Sequence, residues 1–241
     1  FETAIKMLGG HVIDANVVGS SVKKGESLED FVRCMECYCD ALVIRTNKLG
    51  MIERAIRVAS KPIINAGDGC GEHPTQALLD VFTIREERGT VNGIKIGIVG
   101  DLLNGRTVHS LVPLLTNYNV HFYFVSPLEL QLPHNIINFL EKIKEQNTEL
   151  NSKNDNEKSG NFNETTIGWE VVKSIDDIIP IVDVLYMTRL QKERFVTLYG
   201  IIEEIEWSNY TINTFNIINA KSNLVIMHPL PRNNEISVEL E

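Results

Sequence analysis

Residues 67–76 read GDGCGEHPTQ, and this stretch decides the fold class of the chain. Two isoleucines precede its three glycines and the apolar-rich stretch 77–82 follows, which predicts a strand, a tight loop and the start of a helix. Pro74 suits the first helical turn, because the N–H that proline lacks needs no partner there. His73 and Gln76 are three residues apart, so they can face one small polar ligand and polarise its carbonyl group without adding net charge.

Predicted strands and helices alternate along the chain, which is typical of parallel β-sheets. We therefore predict the α/β class, with two doubly wound parallel-sheet domains joined by a hinge helix. The first domain would comprise residues 1–88, including the hinge helix at about 75–88, and the second would comprise residues 89–241. A flexible insertion is expected at about 145–166, because these residues offer little to bury. The strands are expected at 11–16, 41–45, 62–65, 94–99, 121–125, 169–172, 184–187 and 224–227, and the helices at 1–8, 28–39, 51–60, 75–88, 107–115 and 135–144.

The composition is ordinary for a globular chain, with 241 residues, 43% hydrophobic and 23% charged. No apolar run reaches the roughly 18 residues of a membrane span, and the first residues do not form a secretory leader, so a cytoplasmic protein is expected. The net charge of −9 argues against a nucleic-acid surface. Any anionic ligand must therefore be met by local cations.

Three of the four cysteines, Cys34, Cys37 and Cys39, lie in a segment that is predicted to be helical. A structural zinc ion needs four converging ligands, and the sequence offers no matching second pair. We expect no metal centre and no cofactor. The cysteines are predicted to be buried free thiols in a reducing compartment.

Cationic side chains follow several predicted strands, at the edge where open parallel sheets bind ligands. Arg45 ends one strand, where a guanidinium can grip a phosphate or a carboxylate. Arg106, in the stretch GDLLNGRTVHS (100–110), lies near a helix start, where the helix dipole disfavours a cation unless an anion is bound. Arg189 and Gln191 follow a later strand and place a cation beside an amide.

Two further loops belong to this pattern. The stretch MHPLPR (227–232) has two prolines, which fix the backbone and leave carbonyl groups available for a ligand. The stretch SSVKKGE (20–26) places two lysines beside a glycine, as in a mobile loop that contacts anions. Taken alone, Arg45 is also compatible with a surface salt bridge and Arg189 with a solvated helix start. The proline stretch is compatible with a rigid turn and the lysine stretch with a solvated loop. The combination favours a site for anions.

Together these stretches resemble the catalytic chains of aspartate transcarbamoylases, from Phe1 to about Ser237 apart from the insertion. The element His-Pro-x-Gln is shared by transcarbamoylases in general, whereas HPLPR and TRxQKER resemble the aspartate branch. The resemblance implies transfer of a carbamoyl group from carbamoyl phosphate to L-aspartate, giving N-carbamoyl-L-aspartate and phosphate in de novo pyrimidine biosynthesis. It implies a carbamoyl phosphate domain followed by an aspartate domain. It also implies a homotrimer with active sites shared between subunits, and no metal or nucleotide.

The resemblance also implies roles for individual residues. Carbamoyl phosphate would be held by Arg45 at the phosphate, His73 at the carbonyl oxygen and Gln76. The two carboxylates of aspartate would be held by three side chains, those of Arg106, Arg189 and Gln191. The backbone at Leu230 and Pro231 would accept hydrogen bonds from the amine and the carbamoyl NH₂ group, and Ser20 and Lys24 would reach the neighbouring subunit's site. Catalytic roles fall to His73, Arg45, Gln76 and Lys24.

Family members carry a Ser-Thr-Arg-Thr phosphate loop before the helix that begins here at Phe1, and they end with a further helix. A protein that begins at Phe1 is therefore expected to lose activity by several orders of magnitude. Three alternatives remain open at this point. A nucleotide-dependent oxidoreductase would need the glycine fingerprint that the sequence lacks. The others are a non-enzymatic scaffold domain and a transferase acting on ornithine, whose cationic side chain would meet Arg106 and Arg189.

Overall fold

The structure is a computed structural model, and it describes residues 1–15, 25–154, 167–189, 191 and 205–240, without the side chains of 148–154. These residues form two compact units, Phe1–Thr75 and Gln76–Glu241. The parallel sheets of both units, with their flanking helices, confirm the predicted α/β class.

The first unit contains a two-stranded parallel sheet. Leu42 pairs with Ile63 at one end of the strands and Thr46 pairs with Asp68 at the other. Its small core includes Val32, Ile52 and Ala55, which are buried on the flanking helices. The elements are α1 (Glu2–Met7), α2 (Leu28–Met35), β1 (Leu42–Thr46), α3 (Met51–Val58), β2 (Ile63–Asp68) and the first residues of α4 (Pro74–Arg88).

The second unit is built on a five-stranded sheet in which every neighbouring pair is parallel. Besides most of α4 it contains β3 (Ile94–Val99), α5 (Arg106–Leu115), β4 (Val120–Val125), α6 (His134–Asn154), β5 (Gly168–Val172), β6 (Val184–Met187) and β7 (Val225–Met227). The strand order is β5-β4-β3-β6-β7, so the chain reverses its direction across the sheet between β3 and β6.

The sheet of the second unit is buried on both faces. Ile96 and Ile98 of β3 belong to one hydrophobic cluster, together with residues of α4, α5 and α6. Val99 belongs to a second cluster, with Leu185 and Met187 of β6. Because side chains alternate between the faces of a strand, the two clusters lie on opposite faces, as expected for a parallel sheet covered on both sides.

The unit boundary differs from the predicted one. It falls between Thr75 and Gln76, so most of α4 is grouped with the second unit. Ala77 and Ile84 of this helix are buried in the hydrophobic cluster that contains Ile96 and Ile98 of β3. This packing explains why most of α4 belongs to the second unit. A hinge function for α4 therefore remains a proposal.

Three local expectations were wrong. Residues 11–15 form no strand, and no described strand pairs with them. Helix α6 continues to Asn154, ten residues beyond its predicted end at 144, and so occupies the first part of the predicted flexible insertion. Half of these ten residues are Glu, Gln, Leu or Lys, which have high helix propensity.

The thiols are not buried: Cys34, Cys37 and Cys70 are exposed and Cys39 is half-buried. Cys34 lies at an exposed position of α2, Cys37 and Cys39 follow the end of that helix at Met35 rather than lying within it, and Cys70 lies in the loop after β2.

Among the residues that the structure describes, no helix is both long and apolar enough to cross a membrane.

Candidate active site

The strand order of the second unit gives one position at which ligands are expected. In open α/β sheets this is the crevice at the carboxyl ends of the strands where the chain direction reverses. Here that point lies between β3 and β6, and their carboxyl ends pair Val99 with Met187. The stretch with Arg106 follows β3 and the stretch with Arg189 follows β6, so each arginine comes after the carboxyl end of a strand, as the sequence predicted.

Asp101 ties these two loops together. It is fully buried, and its carboxylate accepts hydrogen bonds from the backbone N–H groups of Asn104 (3.0 Å) and Gln191 (3.2 Å). The Gln191 amide donates in turn to the carbonyl oxygen of Asn104 at 2.6 Å. Gln191 thus uses an amide N–H to hold the loops together, which leaves its amide oxygen for a ligand.

The backbone of the two loops also approaches closely. The Thr188 N–H donates to the carbonyl oxygen of Val99 at 2.8 Å, and the Thr188 hydroxyl donates to the same oxygen at 2.9 Å. Gly100 follows with φ +115°, and a Cβ at this position would overlap the Thr188 carbonyl oxygen. Only glycine combines this backbone conformation with so close a neighbour.

Arg106 is the first residue of α5, after Gly105, which provides no side-chain cap. Arg106 and Arg189 are both half-buried. His109, one turn along α5, hydrogen-bonds the carbonyl oxygen of Leu102 through Nε2 at 2.9 Å and so fixes the loop against its own helix. The arrangement presents two guanidinium groups on loops held by buried contacts, which suits a ligand with carboxylates.

The loop after β7 contains Leu230 and Pro231 and is organised by His228. The N–H of Leu230 donates to Nδ1 of this imidazole (2.8 Å), so Nε2 carries the proton and donates to Glu235 Oε1 (2.8 Å). The Asn233 N–H donates to the same carboxylate oxygen at 2.9 Å. Burial opposes ionisation of Glu235, but these hydrogen bonds outweigh it and lower its pKa.

These contacts give the loop a defined backbone. Leu230 has φ +54°, its peptide bond to Pro231 is cis, and its side chain is exposed. A residue other than glycine with positive φ is uncommon and often marks a functional loop. Because the Leu230 N–H is turned toward His228, the loop can offer backbone carbonyl groups as acceptors.

In the first unit, the loop after β2 is built largely by its backbone. The Asp68 N–H donates to the Glu72 carbonyl oxygen, and the Gly69 N–H donates to the Thr46 carbonyl oxygen of β1, both at 3.0 Å. Asp68 Oδ2 accepts from the Gly50 N–H at 2.9 Å. This loop ends at His73, half-buried immediately before the first residue of α4.

Arg45 lies one residue before Thr46 on β1 and is exposed. Its side chain makes no hydrogen bond or ion pair with any residue that the structure describes. The contact between Gly69 and Thr46 brings the end of β1 next to the loop that leads to His73. Within this unit, the arginine therefore lies near the carboxyl end of β1, and the histidine follows the neighbouring parallel strand β2.

Gln76 belongs to a buried group that sequence reasoning missed. Its Nε2 donates to Asp80 Oδ1 and the Tyr186 hydroxyl donates to Oδ2 of the same carboxylate, both at 2.8 Å. Asp80 and Asp101 are the carboxylates that position the predicted ligand residues. The available signals were an acidic residue inside the apolar run of α4 and another directly after β3.

Ser20 and Lys24 lie outside the described residues. In the part of the chain that is described, no three His, Cys, Asp or Glu side chains converge as metal ligands would.

Comparison with known proteins connects both units to one family. The model "Aspartate/ornithine carbamoyltransferase, carbamoyl-P binding domain" matches residues 1–86, and the model "Aspartate/ornithine carbamoyltransferase, Asp/Orn binding domain" matches residues 92–240. The chain is 49% identical over 243 residues to the multifunctional protein pyr1-3 of Dictyostelium discoideum, covering 100% of this chain and 10% of that protein. It is 41% identical over 246 residues to the aspartate carbamoyltransferase catalytic subunit of Thermococcus onnurineus, covering 100% of this chain and 70% of that subunit.

Solved structures give the same result. The fold matches that of aspartate transcarbamoylase from Trypanosoma cruzi in complex with carbamoyl phosphate, with a TM-score of 0.85 and 38% identity. The match covers 99% of this chain and 69% of the crystallised one.

Proposed function

The chain belongs to the aspartate/ornithine carbamoyltransferase family, and we propose that the protein transfers the carbamoyl group of carbamoyl phosphate to the amine of L-aspartate. The products are N-carbamoyl-L-aspartate and phosphate, in de novo pyrimidine biosynthesis. The observation that carries this proposal is the switch point of the second unit, where buried Asp101 joins the two loops that present Arg106 and Arg189.

The chemistry requires cations, because an acyl phosphate and a dicarboxylate repel one another. In this proposal Arg45 binds the phosphate and His73 binds the carbonyl oxygen. Arg106, Arg189 and the Gln191 amide bind the carboxylates of aspartate. The backbone at Leu230 and Pro231 accepts from the aspartate amine and the carbamoyl NH₂ group. Orienting two substrates can contribute roughly 7–11 kcal/mol at best.

The reaction needs no covalent enzyme intermediate. The deprotonated aspartate amine attacks the carbamoyl carbon, a C–N bond forms, and the negative charge develops on the oxygen beside His73 and Arg45. A donor aimed at such an oxyanion is typically worth about 2.7–4 kcal/mol. The C–O bond to phosphate then breaks, and the departing phosphate takes the amine proton.

The acceptor distinguishes the two branches of the family. An ornithine side chain carries an ammonium group, which two arginines at the switch point would repel. The test supplies labelled carbamoyl phosphate to the whole natural protein, with aspartate and ornithine in separate reactions, and measures the ureido product. We expect product with aspartate alone; product with ornithine alone would contradict the proposal.

We also propose a cytoplasmic homotrimer with shared active sites, in which Ser20 and Lys24 serve a neighbouring subunit. The four free cysteines support a reducing compartment, and the family resemblance supports the trimer. Mixing inactive Lys24→Ala subunits with inactive Arg45→Ala subunits should restore activity, because some sites then contain both native residues. The matched control mixes Arg45→Ala with His73→Ala, which lie in one unit and should not complement. Equal results from the two mixtures would rule out sharing through Lys24.

A further inference from the structure

Asp80 is a buried carboxylate that accepts hydrogen bonds from two side chains, those of Gln76 and Tyr186. It is 4% exposed, and each of its oxygens has one strong donor, Gln76 Nε2 on Oδ1 and the Tyr186 hydroxyl on Oδ2, both at 2.8 Å. Burying a carboxylate is costly unless such bonds compensate for lost water. Packing alone therefore does not explain why a carboxylate occupies this buried position.

The group fixes which end of the Gln76 amide faces Asp80. A carboxylate oxygen without a proton can only accept, so the amide must turn its NH₂ group toward Asp80. Its oxygen Oε1 then points away, and no described residue donates to it. Tyr186 occupies the other carboxylate oxygen and so prevents Asp80 from turning.

The same surroundings keep the Tyr186 hydroxyl protonated. Burial, followed by the charge of Asp80, raises the pKa of this phenol well above its ordinary value. Burial also raises the pKa of Asp80, while the hydrogen bonds from Tyr186 and Gln76 act in the opposite direction. The phenol remains a donor at neutral pH.

This inference rests on the carbamoyl transfer proposed above: we propose that Asp80 is a positioning residue that holds the Gln76 amide with its oxygen outward. In that orientation Oε1 accepts from the NH₂ group of carbamoyl phosphate. An acyl phosphate with a methyl group in place of the NH₂ group would leave this oxygen unpaired and would be rejected. Asp80 thus determines selectivity for a carbamoyl group without touching the substrate.

The variant Asp80→Asn tests the orientation in the whole natural protein. Asparagine has one side-chain oxygen, which the Tyr186 hydroxyl takes, so its NH₂ group faces Gln76 and forces the Gln76 amide to reverse. The reversed Gln76 amide then turns its own NH₂ group toward the NH₂ group of carbamoyl phosphate, so the substrate loses its hydrogen-bond acceptor and faces a second donor. The KM for carbamoyl phosphate should therefore rise about 10- to 100-fold. Inhibition by inorganic phosphate, which lacks the carbamoyl group, should change less than about twofold, and the affinity ratio of carbamoyl phosphate to acetyl phosphate should fall.

A second substitution should repair the first. In Asp80→Asn/Gln76→Glu, the new carboxylate accepts from the asparagine NH₂ group and again presents an oxygen outward. The double variant should regain at least about tenfold of the lost preference for carbamoyl over acetyl phosphate. A purely structural role of Asp80 does not predict this recovery.

The matched control is Tyr186→Phe, which removes the hydroxyl but leaves the bond between Gln76 and Asp80. It should lower the midpoint of urea unfolding while keeping the carbamoyl preference. The inference is overturned if Asp80→Asn weakens phosphate and carbamoyl phosphate equally, if it leaves the KM unchanged, or if Tyr186→Phe loses the preference to the same extent. A wild-type protein without carbamoyl transfer would instead refute the function itself, and the inference with it.

Discussion

The two units hold their candidate ligand residues in different ways. In the first unit, the exposed Arg45 side chain makes no hydrogen bond or ion pair with a described residue, and the neighbouring loop is built from backbone hydrogen bonds around glycines. In the second unit, the loops with Arg106 and Arg189 are joined by the fully buried carboxylate of Asp101. The loops of the second unit are therefore held in place before a ligand binds, whereas the Arg45 side chain can take up its position when the ligand binds.

This difference predicts where mutations act. A substitution that disrupts the buried contacts of the second unit should lower the free energy of unfolding, because those contacts join strands that are distant in sequence. Removal of the Arg45 side chain should reduce catalysis and leave the free energy of unfolding nearly unchanged.

The largest effect is expected for Gly100→Ala in the second unit. Gly100 has φ +115°, and a Cβ there would lie 2.6 Å from Thr188 Oγ1 and would overlap the carbonyl oxygen of that residue. Strain and overlap together should lower the free energy of unfolding by about 4 kcal/mol. The control is Gly93→Ala, at φ +79° with no atom within 4 Å, which isolates the backbone term. Urea unfolding measures both, and equal losses would show that the contact with Thr188 is unimportant.

The next effect is catalytic and concerns Arg45→Ala. Loss of a donor to the phosphate and to the developing oxyanion should reduce kcat/KM for carbamoyl phosphate by about 2.7–4 kcal/mol, or roughly 10²- to 10³-fold. Because the side chain is exposed and makes no hydrogen bond or ion pair with a described residue, the free energy of unfolding should change by less than about 0.5 kcal/mol. Steady-state kinetics and urea unfolding of the same preparation test both statements. A folding defect of several kcal/mol would show that Arg45 is part of the framework.

Arg189→Ala is the reciprocal change in the second unit. A charge-assisted hydrogen bond to a carboxylate is worth about 1.5–3 kcal/mol, so the KM for aspartate should rise about 10- to 150-fold. The KM for carbamoyl phosphate should change far less. Titrating each substrate at saturating concentrations of the other separates the two constants. Equal increases in both would reject the assignment of Arg189 to aspartate.

A smaller effect is expected at Asp183, which lies just before β6 at the opposite end of that strand from Arg189. Its Oδ1 contacts Lys221 Nζ at 2.8 Å and Arg88 at 3.3 Å, and its Oδ2 accepts from the Lys95 N–H at 2.9 Å. Burial would raise the pKa of Asp183, but the hydrogen bonds from Lys221 and Lys95, with the charge of Arg88, lower it. Asp183→Asn should therefore cost about 2 kcal/mol of unfolding free energy at pH 7.

The pH dependence of that cost has a definite sign. A carboxyl whose pKa is lowered by folding stabilises the protein above its unfolded pKa of about 3.9 and loses this contribution as the pH falls through the folded value. The difference between wild type and Asp183→Asn should be constant from pH 7 to 5 and should shrink below about pH 4. Urea unfolding across this range measures it. A difference that grew on acidification would contradict the lowered pKa.

The sequence allowed the strands to be located because their apolar runs are bounded by turns. Strand β3 was predicted at its observed bounds, Ile94–Val99, and Gly100 follows it directly. The alternation at 11–16 resembled a strand, but a strand also needs a neighbour that sequence pattern does not supply. Helix α6 was predicted too short because its last ten residues are mostly polar and suggested a loop, although half of them are Glu, Gln, Leu or Lys, which have high helix propensity.

The candidate site was predicted only in part, for a related reason. Arg106 and Arg189 could be placed at strand ends, since carboxyl ends of parallel strands share an edge. Their connection through Asp101 requires that β3 and β6 are neighbours, and the alternation of strands and helices does not reveal strand order. The bond between Asp80 and Tyr186 likewise joins residues 106 positions apart.

The smallest effect is expected for Glu53→Gln in the first unit. Glu53 forms an i,i+4 ion pair with Arg57 at 2.6 Å, with the two side chains 69% and 70% exposed. Water and salt screen such a pair, so the unfolding free energy should change by less than about 0.5 kcal/mol, and 1 M salt should abolish that change. Asp183→Asn, which breaks contacts to two cations at a carboxylate that is 15% exposed, should retain most of its cost in the same salt. Equal salt sensitivity of the two variants would mean that burial does not distinguish the ion pairs of the two units.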